Sequence, residues 1–128
     1  MLQPISQIFA IMIGGAFGAA MRYMVSNGFY FLLGRDFPYG TLAVNVIGSF
    51  LMGVLTVLLI DRGNIDPLIK LAILVGFLGS FTTFSTFSMD TLLLINEGAL
   101  SRAFFNMMLN VVLCVSAVWL GMVITKQL

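Results

Sequence analysis

The chain has 128 residues, 60% of them hydrophobic and 9% charged, with a mean hydropathy of +1.10. A water-soluble domain carries roughly 25% charged residues, so a soluble globular fold is excluded. The net charge of +1, the absence of histidine and the single cysteine, Cys114, leave no basic patch for nucleic acid, no disulfide framework and no zinc-type ligand set.

A first apolar stretch runs from Ile5 to Leu33 and contains Gly14, Gly15, Gly18 and Arg22. It is too long for the apolar part of a signal peptide and has neither the basic leader nor the small-residue cleavage site of one. Gly34-Arg35-Asp36-Phe37-Pro38-Tyr39-Gly40 ends it, since glycine, charge and proline together mark a loop. The second stretch, Thr41 to Ile60, stops at Asp61-Arg62-Gly63-Asn64-Ile65-Asp66-Pro67. A third runs from Leu68 to Ile95 and is closed by Asn96-Glu97-Gly98. The fourth occupies Ala103 to Ile124, ahead of Lys126. Each reaches or exceeds the roughly 20 residues that cross a bilayer core. The expected fold is therefore an all-α integral membrane protein, residues 1–128 forming one transmembrane domain of four helices. Its loops are so short that consecutive helices must be antiparallel neighbours.

Small residues recur at helix-packing spacing: Gly14 with Gly18, Ala16 with Ala20, Ser49 with Gly53. Such pairs let backbones approach in lipid, where van der Waals contact replaces the hydrophobic drive. Putting both termini on one side sets Arg62, Lys70 and Lys126 against Arg35 and Arg102. That is almost no positive-inside bias, which leaves room for insertion either way round and for an antiparallel homodimer.

The third stretch carries Gly76-Phe77-Leu78-Gly79-Ser80-Phe81-Thr82-Thr83-Phe84-Ser85-Thr86-Phe87-Ser88 near its middle. Hydroxyls alone are cheap in a helix because they bond back to its carbonyls. Gly-Ser followed by adjacent threonines points further, to a break between Gly79 and Thr83. Irregular backbone at membrane depth is tolerated where protein buries it or it lines a cavity, and its freed carbonyls make cation sites. Phe84 and Phe87 share a helix face, as do Thr83 and Phe87. Either the rings face lipid, or they point into a narrow hydroxyl-lined passage where their positive edges steady a dehydrated anion without a deep well.

Asn45 is the lone amide of the second stretch, serving as packing glue or as a pore-lining donor. On the fourth stretch Asn106, Asn110 and Cys114 fall at i, i+4 and i+8 on one face, a polar track beside a permeation route or a helix–helix hydrogen-bonding seam. Arg22 either snorkels to a headgroup region or sits in an aqueous vestibule and attracts anions. Asp90 caps a vestibule or pairs with Arg22. No P-loop, dinucleotide fingerprint, nucleophile elbow or zinc spacing appears, so the chain is not read as an enzyme or an ATP-driven pump.

Three blocks occur in order across the four spans: Gly14-Gly15-Ala16-Phe17-Gly18-Ala19 with Arg22-Tyr23, Gly40-Thr41-Leu42-Ala43-Val44-Asn45 with Gly48-Ser49-Phe50, and Gly79-Ser80-Phe81-Thr82-Thr83-Phe84-Ser85-Thr86-Phe87. Over nearly the whole chain the sequence resembles the Fluc family of fluoride channels, also called the CrcB family. The resemblance implies an antiparallel, dual-topology homodimer in the bacterial plasma or inner membrane, with two passive, fluoride-selective export pores built from both subunits. By similarity Phe84 and Phe87 are the rings whose edges meet the ion and Asn45 is the pore asparagine. Thr83 and Ser85 belong to the polar part of the same region, and Arg22 matches the vestibule arginine of the family motif. The resemblance also implies a structural Na+ at the dimer centre, held by backbone carbonyls of Gly79 and Thr82.

The sequence departs from the family pattern in two respects. Asn106, Asn110 and Cys114 stand where some members carry a tyrosine or serines, and Asp90 stands where glutamate is frequent. Asn106 and Asn110 are accordingly expected to contribute donors to the pore. The alternative is a small multidrug-type proton-coupled exporter, also of about four helices, but its membrane carboxylate in the first helix is missing here. A second rival is a non-transporting membrane scaffold that merely dimerises through its small-residue faces.

Overall fold

A computed structural model describes the backbone from Leu2 and side chains from Gln3 through Leu128. Helix α1 spans Leu2–Leu33. Helix α2, Tyr39–Thr56, runs on into a π-helical turn, Val57–Asp61. The third span opens with α3, which passes from Pro67–Lys70 through π-helical Leu71–Phe77 to Leu78–Phe81. It resumes as α4, Phe84–Asn96. Helix α5 covers Leu100–Gln127. Four segments, Gln3–Leu33, Tyr39–Asp61, Pro67–Asn96 and Leu100–Gln127, are each long and apolar enough to cross a membrane.

Helix ends follow local chemistry. Gly34 and Gly98 adopt positive φ, 86° and 77°, which lets the last turns of α1 and α4 close on themselves: the Gly34 amide bonds the Tyr30 carbonyl at 2.9 Å and the Ala99 amide bonds that of Leu94 at 2.9 Å. Asp66 caps α3, its Oδ1 accepting from the Leu68 amide at 2.7 Å with Pro67 in the first turn. The helices overrun the apolar stretches. Tyr39 and Gly40 begin α2, Leu100 begins α5, and α5 continues to Gln127, since none of these flanking residues is a proline and none takes positive φ.

The bundle is built from two close helix pairs, α1 on α3 and α2 on α5, joined by α1 on α2. Glycine sets both approaches. A methyl group at Gly14 would overlap the Ala72 carbonyl, and one at Gly18 the Phe77 carbonyl. Gly53 and Gly121 play the same part reciprocally, against the carbonyls of Val118 and Phe50. Ala16 and Ala20 are exposed, so that pair packs against nothing within the chain. Val44, Leu78 and Asn106 are wholly buried, and one of these three central side chains is an amide.

Candidate functional site

Midway along the third span two residues leave helical conformation: Thr82 at φ −87°, ψ 158° and Thr83 at φ −150°, ψ 116°. Gly79 itself is helical. Thr82 still donates its amide to the Leu78 carbonyl at 3.1 Å, and its hydroxyl donates to the same oxygen at 3.0 Å. The Thr83 amide turns away and donates instead to Asn45 Oδ1 at 2.8 Å, while Asn45 Nδ2 donates to the Thr83 carbonyl at 3.1 Å. One side-chain amide thus satisfies both backbone groups of a residue that no regular ladder serves. Thr83 then starts α4, its Oγ1 accepting from the Thr86 amide at 3.1 Å.

Asn45 also begins a buried chain of hydrogen bonds. Its Nδ2 donates to Asn110 Oδ1 at 3.0 Å. Asn110 Nδ2 donates to the Asn106 carbonyl at 2.8 Å and to Asn106 Oδ1 at 3.0 Å. Asn106 Nδ2 donates to Thr91 Oγ1 at 2.9 Å, and that hydroxyl donates to the Phe87 carbonyl at 2.8 Å. One turn before Asn45 on α2, Thr41 donates to Asp90 Oδ2 at 2.7 Å and lies 3.3 Å from the Tyr30 hydroxyl. The result is a polar seam between α2, α4 and α5 within an otherwise apolar bundle.

The seam has a cavity at each end. At mid-bundle lies one of about 380 Å³, bordered by Asn45, Ser49, Thr83, Phe84, Phe87 and Asn110, with Cys114 on its wall. The Phe84 and Phe87 ring centroids are 5.3 Å apart with planes inclined at 54°. Phe87 is buried, whereas Phe84 is 78% exposed. At the end of the bundle lies a cavity of about 290 Å³ bordered by Tyr30, Arg35, Asp90, Glu97 and Arg102. Arg35 holds its guanidinium 4.5 Å above the Tyr30 ring.

The structure therefore gathers Asn45, Thr82, Thr83, Phe84, Phe87 and Asn110 around one cavity. Asn106 lies behind it with no exposed surface, and Ser85 is exposed with its hydroxyl 3.3 Å from that of Thr83. Arg22 is elsewhere: its Nε donates to the Ser80 carbonyl at 2.9 Å on the α1 side of the span. It does not pair with Asp90, which is engaged by Thr41. Thr41, Thr91 and Tyr30 escape a reading of the sequence. Thr41 carried a usable signal, since it lies four residues before Asn45 and so on the same face. Among the described residues no cluster of three or more Cys, Asp or Glu side chains could hold a metal. The donors open to a cation are backbone carbonyls that the extended pair frees. Beside them Gly79 is exposed, and apart from its own helical backbone nothing in the chain lies within 4 Å of where its Cβ would stand.

The sequence pattern described as CrcB-like protein, Camphor Resistance (CrcB), matches residues 9–122. The chain belongs to the CrcB family. Its relatives in this family include a protein of Methylococcus capsulatus, 56% identical over 94% of the chain and 53% of the relative. Another, from Magnetococcus marinus, is 51% identical over 94% of the chain and 98% of the relative. A third, from Vibrio campbellii, is 51% identical over 87% of each. All three are named fluoride-specific ion channel FluC. The chain spans about half the length of the Methylococcus protein and nearly all of the Magnetococcus one. With four apolar spans and this family membership, it is a multi-pass membrane protein and not an enzyme.

Proposed function

We propose that this CrcB-family chain is a passive fluoride channel. The observation that carries the reading is the buried seam Thr83–Asn45–Asn110–Asn106–Thr91, lying beside Phe84 and Phe87 at an interruption in mid-membrane. Amides are expensive in a bilayer and accumulate where an ion path or its scaffold needs them. The names of the relatives supply the ion.

Fluoride is small and strongly hydrated, and stripping its water is the main barrier. Ring edges of Phe84 and Phe87 and the hydroxyls of Ser85 and Ser49 replace that shell in steps, each weak enough to let the ion leave. Asn45 and Asn110 hold the lining in place. Both hydrogens of each Nδ2 are committed to protein acceptors, so their contribution is to keep Thr83 and the α4 rings where an ion meets them. An inside-negative potential drives anion exit by about 2.3 kcal/mol per charge per 100 mV without a pump.

The channel works as an antiparallel homodimer of dual topology with a pore on each side. Gly79, Phe84 and Ser85 are exposed at the middle of a span. Freed backbone is not left facing lipid, and a second copy on this flank covers it. The same flank suits Na+: the Gly79 and Thr82 carbonyls of each copy are hard oxygen donors of the kind that unwound transporter helices offer sodium. When bound, the ion supplies a fixed positive charge and ties the copies together.

The deciding experiment is electrogenic fluoride efflux from proteoliposomes with valinomycin present, read by a fluoride electrode, with chloride as control. Rapid fluoride release with little chloride movement is the expected result. Proton-coupled uptake of an organic cation instead would make the protein an exporter of the small multidrug type, and folded dimers that move neither would make it a scaffold.

A further inference from the structure

Arg22 borders neither cavity of the polar seam, yet it touches the interruption. In a continuous helix the Ser80 carbonyl accepts the amide of residue 84. Here Phe84 begins a new helix beyond the extended Thr82 and Thr83, so that carbonyl loses its helical partner. Arg22 Nε takes the place of the missing amide at 2.9 Å. The reach is set by α1, whose glycines lie against the same segment. Gly18 meets the Phe77 carbonyl, and a methyl on Gly15 would stand 3.1 Å from the Ser80 hydroxyl. Arg22 is one turn beyond Gly18, half-buried, and its side chain spans the remaining gap.

We propose that Arg22 is a positioning residue for the interruption and acts through its Nε–H, not through its charge. It ties the Ser80 carbonyl to α1, as Asn45 ties Thr83 to α2 from the other side. With Ser80 claimed, the carbonyls left to turn outward include those of Gly79 and Thr82, the pair assigned to sodium. That last step rests on the function proposed above. An arginine serving only to collect anions would have no need of a carbonyl at the interruption.

Three substitutions separate donor from charge. Arg22→Gln places an amide N–H at the same number of bonds from the backbone as Nε and removes the charge. Arg22→Lys keeps the charge and puts a methylene there, and Arg22→Met has neither. Each is measured for fluoride efflux, for the rise in thermal midpoint when sodium replaces N-methylglucamine in detergent, and for amide exchange in peptides covering residues 78–86. Arg22→Gln is expected to keep efflux within about threefold of the parent and to keep the sodium response. Arg22→Lys and Arg22→Met should lose efflux by roughly tenfold or more, lose the sodium response, and exchange faster only in that segment.

Parent-like behaviour of Arg22→Lys with Arg22→Gln matching Arg22→Met would overturn the proposal, and so would three variants alike in every readout. Should Arg22→Met not fold, the glutamine–lysine contrast still decides. A parent protein that neither conducts fluoride nor responds to sodium would defeat the functional reading alone. Amide exchange would then decide the role of Arg22: slow in Arg22→Gln and fast in Arg22→Lys upholds it, and the same rate in both defeats it.

Discussion

Asn45 binds Thr83 as one peptide group binds another: Oδ1 accepts the Thr83 amide at 2.8 Å and Nδ2 donates to its carbonyl at 3.1 Å. The two residues are 38 positions apart, on α2 and at the head of α4. A helix interruption in a bilayer needs such a partner, because no water stands ready to satisfy its freed groups.

Asn45→Asp tests that pairing. The carboxylate still accepts from the Thr83 amide, but its second oxygen faces the Thr83 carbonyl and Asn110 Oδ1 without a hydrogen to give. A loss on the order of 1–3 kcal/mol is expected from the unpaired acceptors, more for the buried charge. It should appear as a lowered thermal midpoint in detergent together with loss of fluoride efflux. A parent-like midpoint would remove Asn45 from the scaffold.

The two rings predict a different pattern. Phe87→Ile and Phe84→Ile keep apolar bulk but remove the positive ring edge, so efflux should fall about tenfold or more for a change of roughly 1–2 kcal/mol in ion stabilisation. Phe84 is largely exposed in the single chain, so its replacement should leave the stability of the separated protomer nearly unchanged. Unaltered efflux in both variants would place the ion elsewhere.

Glycines divide by location. Gly18→Ala drives a methyl into the Phe77 carbonyl, and helices α1 and α3 must separate, for about 1–3 kcal/mol of destabilisation. Gly79→Ala meets nothing in its own chain. Its effect should be confined to assembly, read as a weaker dimer by size-exclusion chromatography with light scattering and as a smaller sodium response. Equal damage from both substitutions to the isolated protomer would contradict this division.

Thr41→Val removes the donor to Asp90 and leaves the carboxylate beside the end cavity without it. Efflux is expected to drop several-fold with a stability loss of about 1–2 kcal/mol. Thr41→Ser, which restores the hydroxyl, should recover both, and failure of that rescue would show that the methyl packing mattered and not the hydrogen bond.

Much of this molecule is written locally. Apolar runs broken by Gly34 to Gly40, Asp61 to Pro67 and Asn96 to Gly98 determine four spans and their order, because bilayer thickness and helical rise leave no other solution. The spacing of Gly14 and Gly18 determines a close helix contact, and the polar residues Asn45, Asn106 and Asn110 announce themselves by their scarcity in a chain that is 60% hydrophobic. Which partners they take is decided only by packing. Sequence spacing puts Asn106 and Asn110 on one face, but the contact with Thr91 and Asn45 that commits their hydrogens depends on how α2, α4 and α5 meet. Arg22 reads as a lone charge bound for a headgroup region or an aqueous vestibule, and only the glycine-set distance between α1 and α3 brings its Nε to the Ser80 carbonyl. Hydropathy is a property of each segment by itself, whereas a hydrogen bond between segments depends on their relative rotation and depth, which no single helix encodes.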